Sequence, residues 1–144
     1  MAITQLSAFL ENTPGTLFKA VSAISGAGIN LRALSVADTR DFGILRVIVD
    51  DIAKTKEVLS EDTIVTETKV IAVRMDDQSG ALTDILKIME VAHINIEYVY
   101  AATSSVAKAA YVVLRVNDTE EAEAVLKRNG KVTLSDEDLG SLLG

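Results

Sequence analysis

The chain repeats itself at a spacing of 65 residues: Gly15 falls on Gly80, Leu17 on Leu82, Ile24 on Met89, Ile29 on Ile94 and Asn30 on Asn95. Two extra residues in the later half lengthen the spacing to 67, and Val49 then falls on Val116, Asp51 on Asp118, Val58 on Val125 and Leu59 on Leu126. A duplication of this kind constrains the fold strongly, because one period must be a complete supersecondary unit that is used twice. The copies meet near residue 68, which predicts two domains, 1–67 and 68–144.

Each copy spells the same element order. In the first, Leu6, Ala8 and Leu10 alternate with Gln5, Ser7 and Phe9, which predicts a strand over 2–10. A helix is expected from Pro14 to about Ala27, with Leu17, Val21, Ile24 and Ser25 inward and Gly26 and Gly28 ending it. A strand over 30–37, a polar turn over 39–43 and a β-branched strand over 44–49 follow. Asp50 or Asp51 can cap a second helix running to about Ser60, and Thr63 to Thr66 closes the unit. The second copy predicts strands over 69–75, 95–101, 108–116 and 131–134 and helices over 80–92 and 118–128. Leu82, Ile85, Leu86 and Met89 are expected inward on its first helix, and Ser135 can cap a short final one.

The order β-α-β-β-α-β in about 65 residues is ferredoxin-like: an antiparallel four-stranded sheet with both helices on one face. The fold class is α+β, two such domains in tandem, with the sheets expected side by side. The second face of such a sheet is usually wet. Here Ile44 and Ile48 oppose Leu45, Val47 and Val49, and Tyr111 and Val113 oppose Val112, Leu114 and Val116, so both faces of this strand are apolar. A further layer over that face is expected, from a second chain in a homodimer.

Composition narrows the function classes. Hydrophobic residues make up 49% of the chain, enough for a core, and the single proline rules out a proline-rich linker. A net charge of −7 argues against nucleic-acid binding, which needs clustered Lys and Arg. Without cysteine there are no disulfides, thiolate nucleophiles or Cys-held metals. No apolar run approaches the roughly 18 residues that span a bilayer, and the N-terminal stretch lacks a basic region before an apolar one. The expectation is a cytoplasmic protein that does not bind membranes and carries no cofactor.

The motifs sit at the strand-to-helix corners. ENTPGTL follows the first strand and AGIN opens the next one; DDQSGAL and AHIN stand at the corresponding places in the second copy. This pattern resembles the ACT domain, in which a polar-x-Pro-Gly-x-Leu corner and a Gly-x-Asn-Ile segment recur. The first copy matches at Asn12, Pro14, Gly15, Leu17, Gly28, Ile29 and Asn30. The second departs from it, with Asp77 for Asn12, Ser79 for Pro14 and His93 for Gly28, while Gly80, Leu82, Ile94 and Asn95 still fit. The resemblance covers the whole chain. It implies a non-catalytic, allosteric regulatory module that binds a free amino acid or similar small ligand where ACT domains meet.

The residue chemistry is compatible with that implication. A helix N-terminus offers unpaired N–H donors to a carboxylate. Pro14 suits the first helical position, and Gly15 lets a ligand approach the backbone. The amides of Asn12 and Asn30 can accept from an ammonium group or donate to a carboxylate. The candidate contacts are Asn12, Thr13, Pro14, Gly15, Leu17, Ile29 and Asn30, with Asn95 and Ile96 across an interface. On the residues alone, Asn12 can equally cap the helix and Asn30 can be a turn residue. Asp77 is a poorer partner for a carboxylate than Asn12, so the second corner is expected to be structural or to bind differently.

Other features read as structure. Asp41-Phe42-Gly43 spells a kinase triplet without the rest of the kinase set and is expected at a hairpin tip. His93, the single histidine, is expected at the surface as a cap, and no metal site is expected. The pairs Asp50-Asp51 and Asp76-Asp77 are read as helix caps, Tyr98 and Tyr100 as packing side chains, and Ser104 and Ser105 as turn residues. Two rival functions stand beside ligand sensing. One is a regulatory subunit acting by binding a metabolic enzyme; the other is a small enzyme using the paired acids, which requires Asp76 or Asp77 to face a pocket.

Overall fold

The computed structural model describes residues 2–38, 41–59, 63–76, 78–104 and 109–143. In chain order the elements are β1 (Ile3–Glu11), α1 (Thr16–Gly26), β2 (Leu31–Asp38), β3 (Phe42–Val49), α2 (Ile52–Leu59), β4 (Ile64–Met75), α3 (Ala81–Val91), β5 (Ile96–Ser104), β6 (Ala109–Val116), α4 (Thr119–Arg128), β7 (Thr133–Leu134) and α5 (Asp136–Leu143). The β-α-β-β-α-β order is present twice. One difference is that β4 is a single strand where the sequence pattern predicts two, because Glu67 and Thr68 between them supply neither a glycine nor a proline to break it.

The chain forms two compact units, an N-terminal one of residues 4–68 and a C-terminal one of residues 1–3 and 69–144. In the N-terminal unit, β3 lies between β1 and β2, antiparallel to both. Leu6, Ala8 and Leu10 alternate onto one face with Leu45, Val47 and Val49, and they form a core with Ala20 and Ile24 of α1, Ile29, and Leu59 of α2. In the C-terminal unit the antiparallel order is β5-β6-β4-β7. Its core joins Ile71 and Val73 to Val112, Leu114 and Val116, beneath Ile85 and Met89 of α3 and Ala122, Val125 and Leu126 of α4.

The inward faces of the first helices differ from expectation. On α1 only Ala20 and Ile24 are buried; Leu17 is 41% exposed and Ser25 is exposed. On α3 Ile85 and Met89 are buried, and Leu82 is 38% exposed. Leu17 and Leu82 share a repeat position in the first turn, and both stand clear of their cores. On the sheet face away from the helices, Ile48, Tyr111 and Val113 are buried, along with Gln5 and Ser7, whose side chains hydrogen-bond at 3.2 Å.

Both first helices end the same way. At the end of α1, the N–H groups of Gly28 and Ile29 donate to the carbonyls of Ser25 and Ile24 at 3.0 and 3.3 Å. At the end of α3, His93 and Ile94 donate to Glu90 and Met89 at 3.0 and 2.9 Å. This double bond pattern needs a left-handed residue after the cap. Gly28 takes it at φ 75°, and His93, the one non-glycine with positive φ among the described residues, takes it at φ 57°. His93 is therefore a surface helix stop, as expected.

Candidate functional site

The corner after β1 is built around Gly15. Its φ of 87° is closed to most side chains, and it serves as the N-cap residue of α1. Gly80 does the same for α3 at φ 90°. Each glycine is thus required by its backbone conformation before any ligand is considered. A Cβ placed on either would meet nothing within 4 Å, so both corners are open to solvent. Pro14 lies in the turn before the cap rather than at the first helical position, because the helix begins at Thr16.

The way the helices start separates the corners from the rest of the molecule. Asp51 accepts the Lys54 N–H at 3.0 Å and caps α2; Asp118 accepts the Glu121 N–H at 3.1 Å and caps α4. Ser135 and Asp138 form a reciprocal pair at the start of α5, at 3.1 and 2.8 Å. By contrast, α1 and α3 have no side-chain cap. At α1 the Thr16 N–H reaches Thr13 and the Lys19 N–H reaches Gly15, which leaves Leu17 and Phe18 as the amides a cap would otherwise satisfy.

The remaining first-corner residues surround this end of the helix. The Asn12 N–H donates to the Asp41 carbonyl at 3.1 Å, which ties the corner to the residue before β3; Phe42 and Gly43, expected at a hairpin tip, are the first paired residues of β3. The Asn12 side chain is exposed and does not cap α1. The hydroxyls of Thr13 and Thr16 meet at 2.7 Å.

Asn30 lies elsewhere. Glu11 and Leu10 pair with Phe42 and Gly43 at one end of β3, whereas Leu31, next to Asn30, pairs with Val49 at the other. Seven residue steps of strand separate the ends, about 23 Å at roughly 3.3 Å per residue. Asn12 and Asn30 of one unit therefore do not converge on one small molecule, contrary to the joint use expected of them. The Asn30 N–H donates to the Asp50 carboxylate at 3.1 Å and its carbonyl accepts the Asp50 N–H at 3.3 Å, which leaves its exposed side chain free to point outward. Of the first acid pair, Asp51 is a helix cap, as expected, and Asp50 a strand clasp. Ile29 is buried in the N-terminal core, so its side chain is already occupied. Asn95 is exposed, and Ile96 packs against the C-terminal core.

A detail that the sequence pattern does not signal follows both asparagines. The register of β2 shifts between Leu31 and Ala33, and that of β5 shifts between Ile96 and Tyr98, at matching repeat positions. Such bulges re-aim neighbouring side chains and are common beside sites.

The second corner lines a cavity of about 290 Å³. Gln78, Ser79, Gly80 and Ala81 form one wall; Arg74 and Lys131 bring positive charge, Asp76 and Asp84 negative. Opposite charges thus gather without ion pairing among the described residues. Asp76 lines this cavity, as the rival enzyme reading required, and does not cap α3, contrary to the helix-cap expectation; Asp77, the counterpart of Asn12, lies outside the described residues, as does Ser105. A second concavity, of about 520 Å³, lies along α3 and α4. Neither cavity is lined by Asn12 or Asn30. Among the described residues no cluster of three metal-type ligands forms, and no helix is long and apolar enough to cross a membrane. Tyr98 and Tyr100 stack with their ring centres 6.5 Å apart.

Comparison with known proteins gives a consistent result. A family model described as ACT domain pair matches residues 1–143. A solved structure of a Bacteroides thetaiotaomicron protein is 34% identical, covers 96% of each chain and superposes with a TM-score of 0.88. The ligand-free regulatory subunit of aspartate kinase from Thermus thermophilus is 16% identical over 90% of this chain and 92% of its own, with a TM-score of 0.64. Aspartokinase alpha and beta subunits match at 18% identity over the same shares, with a TM-score of 0.60. The last two likenesses are of fold alone. No curated protein matches the chain.

Proposed function

The chain belongs to the family of ACT domain pairs, and we propose that it is a non-catalytic regulatory module that senses a free amino acid. The observation that carries this reading is that α1 and α3 are opened by left-handed glycines and lack side-chain caps, while α2, α4 and α5 are capped. Uncapped N–H groups at a helix start are suited to a carboxylate. In the N-terminal unit the ligand sits on Gly15, Leu17 and Thr13, with Pro14 shaping the turn and the Asn12 amide reaching the ammonium group. Because Asn30 lies about 23 Å away in its own unit, a ligand held by both asparagines takes the second from another domain, which a homodimer supplies. The C-terminal corner offers a second place, where both charges of an amino acid find opposite partners in Arg74 or Lys131 and in Asp76 or Asp84.

The test is a calorimetric screen of the twenty amino acids, followed by Asn12→Ala and Arg74→Ala. A hit weakened by about tenfold or more in one variant, roughly 1.4 kcal/mol, assigns the corner. The absence of any hit at millimolar concentration sinks the reading.

A second reading, a subunit acting mainly by binding an enzyme, is favoured by the surface of the N-terminal unit. Phe18 is 78% exposed on α1, and Leu34 and Val36 are exposed on β2. Phe18→Ser and Val36→Lys would then abolish assembly with the enzyme while leaving amino-acid binding intact.

A further inference from the structure

The concavity along α3 and α4 shares Asp84 and Lys131 with the corner cavity and is otherwise lined by different residues. Its floor is apolar: Ile88, Val91, Ala92 and Val125. Val91 is 71% exposed, so its hydrocarbon is open to a ligand. Lys87, Arg128 and Lys131 stand around the floor, against the single acid Asp84.

Two facts indicate that this is not a by-product of the fold. First, none of the three cations is ion-paired among the described residues, although the chain carries 21 acidic residues and Asp84 lies three positions before Lys87. The residue before Arg128 on α4, Lys127, does pair, with Glu123 at 3.2 Å. Second, the N-terminal copy of the same fold lacks the features. At the repeat positions of Lys87, Val91, Arg128 and Lys131 it has Ser22, Gly26, Glu61 and Ile64. The second copy alone therefore combines an apolar floor with three cations that form no ion pair among the described residues, in a chain whose net charge is −7.

We propose that this groove binds a small organic anion with an apolar body, its carboxylate held by Lys87, Arg128 and Lys131 and its hydrocarbon laid over Val91 and Ile88. The volume suits a ligand of modest size, and the balance of apolar floor and few convergent charges is that of small-molecule sites.

The test is an amide NMR titration of the full chain with octanoate, with octanol and acetate as the separated halves of the probe. Octanoate is expected to give saturable shifts confined to residues 84–92 and 125–131, with affinity about tenfold above either half, a difference of roughly 1.4 kcal/mol. The double variant Lys87→Glu with Arg128→Glu, both exposed, should lose that advantage while keeping the fold, as its unshifted core amides would show. Equal binding of octanol and octanoate, shifts elsewhere, or an unchanged affinity in the double variant overturns the proposal. So do shifts that follow protein concentration instead of octanoate, which would mark a second copy as the occupant, and binding of an acidic amphipathic peptide where octanoate fails.

Discussion

The two corners share a backbone and differ in side chains. Gly15 and Gly80 hold nearly the same left-handed φ, 87° and 90°, and each opens an 11-residue helix without a side-chain cap. Yet Asn12 and Pro14 in the first become Asp77 and Ser79 in the second, and the charged cavity and cationic groove lie in the second unit alone among the cavities described. Conformation is what both copies keep. A positive φ admits few residues, so it fixes glycine, whereas open positions around it accept any side chain and can take up separate chemistry.

The largest expected effect tests whether the two units are equivalent inside. Ile24 and Met89 share a repeat position, are fully buried, and accept the bond that stops their helices. Ile24→Ala and Met89→Ala should each cost about 2–5 kcal/mol in urea denaturation. A near-neutral Met89→Ala would break the equivalence and show that the second core collapses around the loss.

Next is the corner itself. Gly15→Ala and Gly80→Ala have room for the methyl group but must hold it at positive φ. Each should cost about 1–2 kcal/mol, read from the same denaturation curves. If amino-acid binding also falls in Gly15→Ala and not in Gly80→Ala, the first corner is the ligand site; the reverse assigns the second.

The helix stops give a smaller and oppositely signed pair. His93→Gly relieves a left-handed side chain and should stabilise by up to about 1 kcal/mol, while Gly28→Ala should destabilise by a similar amount. A destabilised His93→Gly would mean that the imidazole makes a contact worth more than the strain.

Much of this was legible in the sequence. The repeat, the element order, the Asp51 and Ser135 caps and the role of His93 follow from local patterns whose physics acts within a few residues. Three features were not. The exposure of Leu17 and Leu82, both in the first turn of a helix, depends on tertiary packing, which periodicity does not report. The distance between Asn12 and Asn30 is set by strand register, and neighbouring motifs in a family pattern carry no information about it. The corner cavity joins Arg74 and Lys131, 57 positions apart, which the fold brings together; the Arg74 N–H bonds the Val132 carbonyl at 2.9 Å.

The smallest effect tests the contrast between capped and glycine-opened helices. The Asp138 carboxyl is held below its ordinary pKa, first by the Ser135 N–H and then by the Ser135 hydroxyl. A carboxylate whose folded pKa is depressed adds stability above its unfolded pKa and loses it as the pH falls through the folded value. The contribution should therefore be complete near neutrality and fade below about pH 4. Asp138 is fully exposed, so the effect on overall stability is slight and is better read by NMR titration of the Asp138 carboxyl. Ser135→Ala removes the hydroxyl bond and should raise that pKa toward its ordinary value while keeping the backbone bond, so the shift shrinks without vanishing. The glycine-opened α1 offers no carboxylate cap and no acid in its first turn, so its helix start should stay insensitive to acid over the same range. A matching acid-dependent fraying at Leu17 and Phe18 would show that an acidic side chain caps the first corner in solution and that no open anion site exists there.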